Sequence, residues 1–214
     1  MSLYKWRRLL LTASRLGVSG YIANGIQVLI DDPMLPKEIA FEAKDENYDI
    51  SKARMYNIFT QKKFLKIQDN ERHSIDTSIE TVELLRLIVA NADEIITSDI
   101  SLPGIISIGK YLRTKGDKVD FVKMTEWLHK IGIKQIASLL ASILIELFDF
   151  EEDEIEFLKR RYVNPLVHYD NLLISAINGT GHKFRSASRI NVALVETTSY
   201  HLGQFISKIR DIEE

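Results

Sequence analysis

Apolar residues recur at three- and four-residue spacing along most of the chain. The clearest run is 133–148, where Ile133, Ile136, Leu140, Ile143, Leu144, Leu147 and Phe148 form one face of a helix. Leu139, Ala141 and Ile145 lie off that face and leave only a narrow polar stripe of Lys134, Ser138, Ser142 and Glu146. A helix that is apolar around most of its circumference has to be enclosed by other helices. The pattern therefore predicts a bundle organised around 133–148.

Taken in order, Trp6, Leu9, Leu10, Ala13 and Leu16 make an amphipathic helix of residues 3–16, and Gly17 fits the left-handed position that ends one. Ser19 is the expected cap of a second helix running to about Ile30, closed by Asp31, Asp32, Pro33 and Pro36. A polar stretch at 43–49 reads as a linker. Ser51 is the expected cap of a helix to about Ile67, with Tyr56, Phe59, Phe64, Ala53 and Ile67 facing a core. One of Asp76, Thr77 and Ser78 starts a helix to Thr97 with Ile79, Val82, Leu84 or Leu85, Val89 and Ile96 inward. Ser101 and Pro103 start the next helix, which Gly116 stops, because proline is tolerated in a first turn. Asp117 or Asp120 caps a helix with Phe121, Met124, Trp127, Leu128 and Ile131 inward, and Gly132 turns the chain into 133–148. Beyond it, an acidic start and basic end at 151–161 suit a helix dipole. Shorter and longer apolar stripes follow at 171–177 and 188–210. No segment alternates with period two between turn signals, so a sheet is not expected. The fold class read from this pattern is all-α, an irregular multi-helix bundle of about ten helices around a buried central helix. It forms a single domain, 1–214, with an N-terminal hairpin (1–42) packed on a helical body (50–214).

Composition changes the picture mainly by exclusion. The 214 residues are 45% hydrophobic and 27% charged, enough for a sizeable core, and the net charge of −2 provides no overall basic field for nucleic acid or anionic membrane. With no cysteine there is no disulfide, thiolate nucleophile or zinc-thiolate site, which suits a reducing compartment. The apolar run Leu9–Leu11 is broken by Arg15, short of a secretory leader, and Ile136–Ile145 is about half of the ~20 residues a span needs. A cytoplasmic location without a membrane partner is the expectation.

Candidate chemistry is sparse. Ala13, Gly17, Val18 and Ile26 occupy the small, turn and apolar positions of a DNA-binding helix-turn-helix at 13–29, yet the second helix has no Lys or Arg to reach phosphates. Lys52, Arg54, Lys62, Lys63 and Lys66 interleave with aromatics, a pattern shared by nucleic-acid surfaces and by ordinary solvated helix faces. Glu126-x-x-His129 has the spacing of helical di-iron ligands, but no second such pair accompanies it, and no metal or other cofactor is expected. His73, His168 and His201 have no acid at a telling spacing. The stretch 178–189 is the best candidate for holding an anion. Gly179 and Gly181 free its backbone, and His182, Lys183, Arg185 and Arg189 gather before an expected helix N-terminus. It lacks the Walker spacing.

Two runs, WRRLLLTASRLGVSGYIANGI from Trp6 and YLRTKGDKVDFVKMTEWLHKIGIKQIA from Tyr111, resemble the helical flanks of a bacterial family of uncharacterised nucleotidyltransferases. The resemblance implies an activity that needs a Gly-Ser or Gly-Gly strand followed by paired carboxylates, which hold the metal ions that bridge nucleotide phosphates. This chain departs there. Asp149-x-Glu151 and Asp211-x-Glu213 have the spacing but follow no glycine pair, so no catalytic residue is carried over. The expected function is non-enzymatic, binding or regulating a protein partner. The alternatives are a DNA-binding regulator using 13–29 and a nucleotidyltransferase-like protein lacking its catalytic residues.

Overall fold

The computed structural model describes residues 2–29, 31, 35, 48–75, 78–97 and 101–157, the side chains of Lys52, Ile96 and Thr97 excepted. Among them all regular structure is helical, with no strand. The helices are α1 (Leu3–Arg15), α2 (Ser19–Gln27), α3 (Ile58–Arg72), α4 (Ile79–Thr97), α5 (Leu102–Lys115), α6 (Phe121–Ile131) and α7 (Lys134–Phe148), with single 3₁₀ turns at Ile50–Lys52, Gly116–Lys118 and Glu152–Glu154.

Local chemistry sets most of the boundaries. The Ser101 hydroxyl accepts from the Gly104 N–H at 3.3 Å, with Pro103 in the first turn of α5. The Asp120 carboxylate accepts from the Lys123 N–H at 2.9 Å and starts α6. Gly132 ends α6 at φ 87, a left-handed conformation that glycine adopts without strain.

Two expected caps and one expected helix start turn out differently. Ser19 is already helical, and Val18 precedes α2 without a side-chain cap. Ser51 does not start the long helix. Instead Asp49 accepts from the Ser51 N–H at 2.9 Å to close a 3₁₀ turn, and Asn57 accepts from the Phe59 N–H at 2.9 Å to start α3. Ser51 lies inside that 3₁₀ turn, ahead of the α3 start, so the capping role passes to Asp49 and Asn57, which stand at the two starts. The acidic run at 151–156 builds a 3₁₀ turn, not the first turns of a helix. The Glu154 carboxylate accepts from the Glu151 N–H at 2.8 Å, and burial of Ile155 and Phe157 then takes the chain inward.

In α7 every residue from Ile136 to Leu144 is buried, including Ser138 and Ser142, which were expected on a polar stripe. The Ser142 hydroxyl donates to the Ser138 carbonyl at 2.8 Å, so its polar atom is satisfied within the helix and needs no water. Leu84, Leu85, Ile88, Val89 and Ala92 make α4 equally buried. Among the described residues α4 packs against α3, α5, α6, α7 and the turns at 50–52 and 116–118, while α7 packs against α4, α5 and α6. A single apolar cluster runs from Met55 to Phe157. Leu9, Phe59 and Ile79, expected inward, are exposed.

Two glycines allow α5 to lie close to its neighbours. A Cβ on Gly104 would collide with the buried Asn91 amide, whose Nδ2 donates to the Leu87 carbonyl at 2.9 Å. One on Gly109 would press on Leu144 and Phe150. The N-terminal hairpin packs through Ala13, Val18, Ala23 and Ile26, all buried, and turns at Gly17 with φ 69. That turn rests on the start of α5, since a Cβ on Gly17 would lie 3.4 Å from Pro103 Cγ. No helix among the described residues is long and apolar enough to cross a membrane.

Candidate functional site

Helical spacing along α5 places Ser107, Lys110, Tyr111 and Thr114 on one side, and Glu83 and Leu87 lie one turn apart on α4. Where these faces meet Tyr21 of α2 and the segment carrying Tyr48 and Ile50, they enclose an open pocket of about 350 Å³. Three chain regions thus contribute a tyrosine each to one cavity.

Its polar atoms are tightly organised. The Tyr111 hydroxyl donates to the Glu83 carboxylate at 2.9 Å and lies 3.0 Å from the Glu80 carbonyl. Lys115 Nζ sits 3.0 Å from the same carboxylate and 5.2 Å from the centre of the Tyr111 ring. The Lys115 hydrogen bond, followed by that of Tyr111, holds Glu83 below its ordinary range. Burial first, and the Glu83 carboxylate second, push the Tyr111 hydroxyl up. Tyr48 is raised by burial first and then by Glu94, whose carboxylate it hydrogen-bonds. Both phenols are therefore neutral over the physiological range, serving as hydrogen-bonded aromatic walls. Thr114 donates one turn back along α5, to the Lys110 carbonyl at 2.8 Å. The Lys110 ammonium and the Ser107 hydroxyl have no polar partner among the described residues, so they are the groups left to meet an occupant.

A second polar cluster fixes the chain beside the pocket. Arg54 donates to the Tyr56 hydroxyl at 2.9 Å and places Nε 3.7 Å from Asp93, which is buried on α4. Its guanidinium stands 4.9 Å from the centre of the Tyr56 ring. Burial, then the Asp93 hydrogen bond, pushes the Tyr56 hydroxyl up to about 12. This cluster ties 54–56 to α4 and so positions Tyr48 and Ile50 upstream.

The sequence-based candidates are dispersed. His182, Lys183, Arg185 and Arg189 lie outside the described residues, as do His168, His201, Asp211 and Glu213. The helix-turn-helix positions do form a tight helical hairpin, but Gly20 is buried and Tyr21 lines the pocket, so the first turn of α2 faces the body. Of the interleaved aromatics on α3, Phe64 is buried, Phe59 is exposed, and Lys62, Lys63 and Lys66 are solvated. Glu126 and His129 are both exposed, and among the described residues no three His, Asp or Glu side chains converge on a metal position. His73 does have an acid nearby, Asp69 one turn earlier, whose carboxylate lies 3.8 Å from Nδ1 and whose carbonyl lies 2.8 Å from it. Asp149 and Glu151 are exposed at the end of α7, where Arg113 donates to the Phe148 carbonyl at 2.8 Å.

The pocket was not read from the sequence. Its one local signal is the row Ser107, Tyr111 and Thr114, polar groups at four- and three-residue spacing on a helix that buries Ile105, Ile108 and Leu112. Comparison of the chain with protein-family models, with curated proteins and with solved structures returns no match.

Proposed function

We propose that this chain is a non-catalytic helical protein that binds a protein partner and acts by regulating it, and that the tyrosine pocket receives an anchor side chain of that partner. The observation that carries this reading is the pocket itself, open, about 350 Å³, and lined by Tyr21, Tyr48 and Tyr111 with the Lys110 ammonium at hand. Tyrosines give large contact area with few rotamers to immobilise, and they are enriched where interfaces concentrate their energy. Hydroxyls already held by Glu83 and Glu94 keep the Tyr111 and Tyr48 rings in place before a partner arrives.

The DNA-reading alternative has the hairpin geometry in its favour, but α2 contains no Lys or Arg to offer a phosphate, and Gly20 and Tyr21 face the body. The nucleotidyltransferase-like alternative rests on the two resembling runs alone. The finer architecture, about ten helices around α7 in one domain, a cytoplasmic location and an anion contact at His182, Lys183, Arg185 and Arg189 belong to this same proposal.

The test places a photoreactive residue at position 114, which lines the pocket and leaves Lys110 in place, in cells and identifies the adduct, then measures the purified pair. Ser107→Trp, which fills the pocket and leaves the three tyrosines and Lys110 in place, is expected to abolish the adduct and weaken binding at least about tenfold, roughly 1.4 kcal/mol. An adduct and an affinity unchanged by Ser107→Trp overturn the reading.

A further inference from the structure

The N-terminal hairpin has a charge pattern unlike the rest of the molecule. Residues 2–29 contain Lys5, Arg7, Arg8 and Arg15 and not one Asp or Glu, although the whole chain is net negative. Lys5, Arg7 and Arg8 are exposed and have no ion pair among the described residues. The same hairpin exposes large apolar side chains, Tyr4 at 73%, Leu11 at 54% and Val28 at 85%. Only Ala13 of α1 is buried. Tyr4, Arg8, Leu11 and Arg15 follow one another at four-, three- and four-residue spacing and so form one outward row in which apolar and cationic residues alternate.

That alternation discriminates among occupants. A lipid surface favours one continuous apolar face with cations at its borders. Here Leu9 lies on a separate row from Tyr4 and Leu11, with Lys5 between them. A nucleic-acid backbone has no use for exposed Tyr4, Leu11 and Val28. A protein surface that interleaves carboxylates with apolar residues matches the row directly.

Such a surface exists on this chain. After α7, Glu151, Glu152, Asp153, Glu154 and Glu156 are exposed with no ion pair among the described residues, and Leu147 and Phe148 are only half-buried beside them. Within one molecule the hairpin turn and the acidic end adjoin opposite ends of α5. The hairpin turn rests on Pro103 at its start, whereas Arg113 near its end bonds the Phe148 carbonyl and covers the Phe150 ring at 4.3 Å. Roughly 15 Å of helix separates Pro103 from Arg113.

We propose that the outer face of the N-terminal hairpin docks on the acidic end of α7 of a second copy of this chain, in a head-to-tail contact. A heterologous contact of this kind leaves one free surface at each end, so association extends beyond dimers as concentration rises. Being electrostatic and exposed, it weakens with salt. The contact is independent of the tyrosine pocket.

Sedimentation velocity of the purified full-length protein over a concentration series, at low and high salt, is the measurement. The wild type is expected to self-associate at low salt and to shift toward monomer at high salt. R7E/R8E and E152K/D153K, all at exposed positions, should each weaken association about tenfold or more while keeping the wild-type thermal midpoint. Mixing the two variants should restore association, because one retains the acidic end and the other the basic hairpin. A wild type that is monomeric throughout, association indifferent to either reversal, or a mixture that stays monomeric overturns the proposal. So does binding of wild type to anionic phosphatidylglycerol vesicles or to duplex DNA that competes away self-association, since the hairpin would then serve lipid or nucleic acid.

Discussion

At the scale of single residues, close approach and burial dominate. Gly104 has helical dihedrals that any residue can adopt, so alanine there would ordinarily stabilise a helix, by up to about 1 kcal/mol. A Cβ, however, would collide with the buried Asn91 amide and disturb its bond to the Leu87 carbonyl. Overpacking of this kind costs about 1–3 kcal/mol, so Gly104→Ala is expected to lower stability in denaturant titration. Gly116→Ala, with nothing within 4 Å of its Cβ, serves as the control. The tyrosines make a second prediction at this scale. Tyr48 and Tyr111 have hydroxyls raised above their ordinary 10.0 in the folded chain. A group raised in the folded state gives stability that is complete below its unfolded value and is lost as pH rises above it. The thermal midpoint should therefore fall with pH from about pH 10 upward. The slope should be shallower in a Tyr48→Phe/Tyr111→Phe variant, whatever that variant costs at neutral pH. An equal slope would show that these hydroxyls titrate as they do in the unfolded chain. Neither effect was legible in the sequence, because both depend on which distant side chain stands opposite: Asn91 for Gly104, Glu83 for Tyr111.

At the scale of elements, the sequence was read well wherever a local rule operates alone and less well where two residues compete for one role. Asp120, Ser101 and Gly132 end or start helices as their chemistry directs. Ser19 and Ser51 carry the same chemistry and do not cap, because Asp49 and Asn57 stand at the two starts on either side of Ser51 and Val18 already occupies the position before α2. Removing the cap at α6 by Asp120→Ala should cost about 1 kcal/mol in an unfolding titration. The corresponding Ser51→Ala should cost little, and that contrast is the check. The apolar face of α7 was visible as periodicity, but the burial of its serines was not, since a hydroxyl that bonds one turn back carries no polar demand outward. Ser142→Ala is accordingly expected to be tolerated. Leu140→Ala or Leu144→Ala, each emptying a fully enclosed position, should cost about 2–5 kcal/mol. An unchanged unfolding midpoint in Leu140→Ala would mean that α7 does not pack as described.

At the scale of the molecule, burial is unevenly shared, and stability should follow it. The stretch Leu84–Ile95 of α4 and the stretch Ile136–Leu144 of α7 are almost wholly enclosed, whereas α1 buries Ala13 alone and meets the body mainly through its partner α2 and the Gly17 turn on Pro103. Backbone amides in enclosed helices exchange only when much of the fold opens, but a peripheral helix with few buried apolar contacts opens locally at lower cost. The pocket lies on this seam, with Tyr21 on the loosely held side and Tyr48, Glu83 and Tyr111 on the firm one. An occupant that bridges the two sides stabilises the docked arrangement in proportion to its own binding. Native-state hydrogen exchange in dilute protein at high salt, where contacts between copies are suppressed, should therefore show amides of α1 and α2 exchanging through a cheaper opening than those of α4 and α7. Gly17→Ala, which imposes a side chain on a left-handed turn, should accelerate exchange in α1 and α2 and leave α4 and α7 nearly unchanged. Protection of α1 equal to that of α4, or acceleration spread evenly over all helices, would show that hairpin and body open as one unit and that the seam at the pocket has no independent freedom.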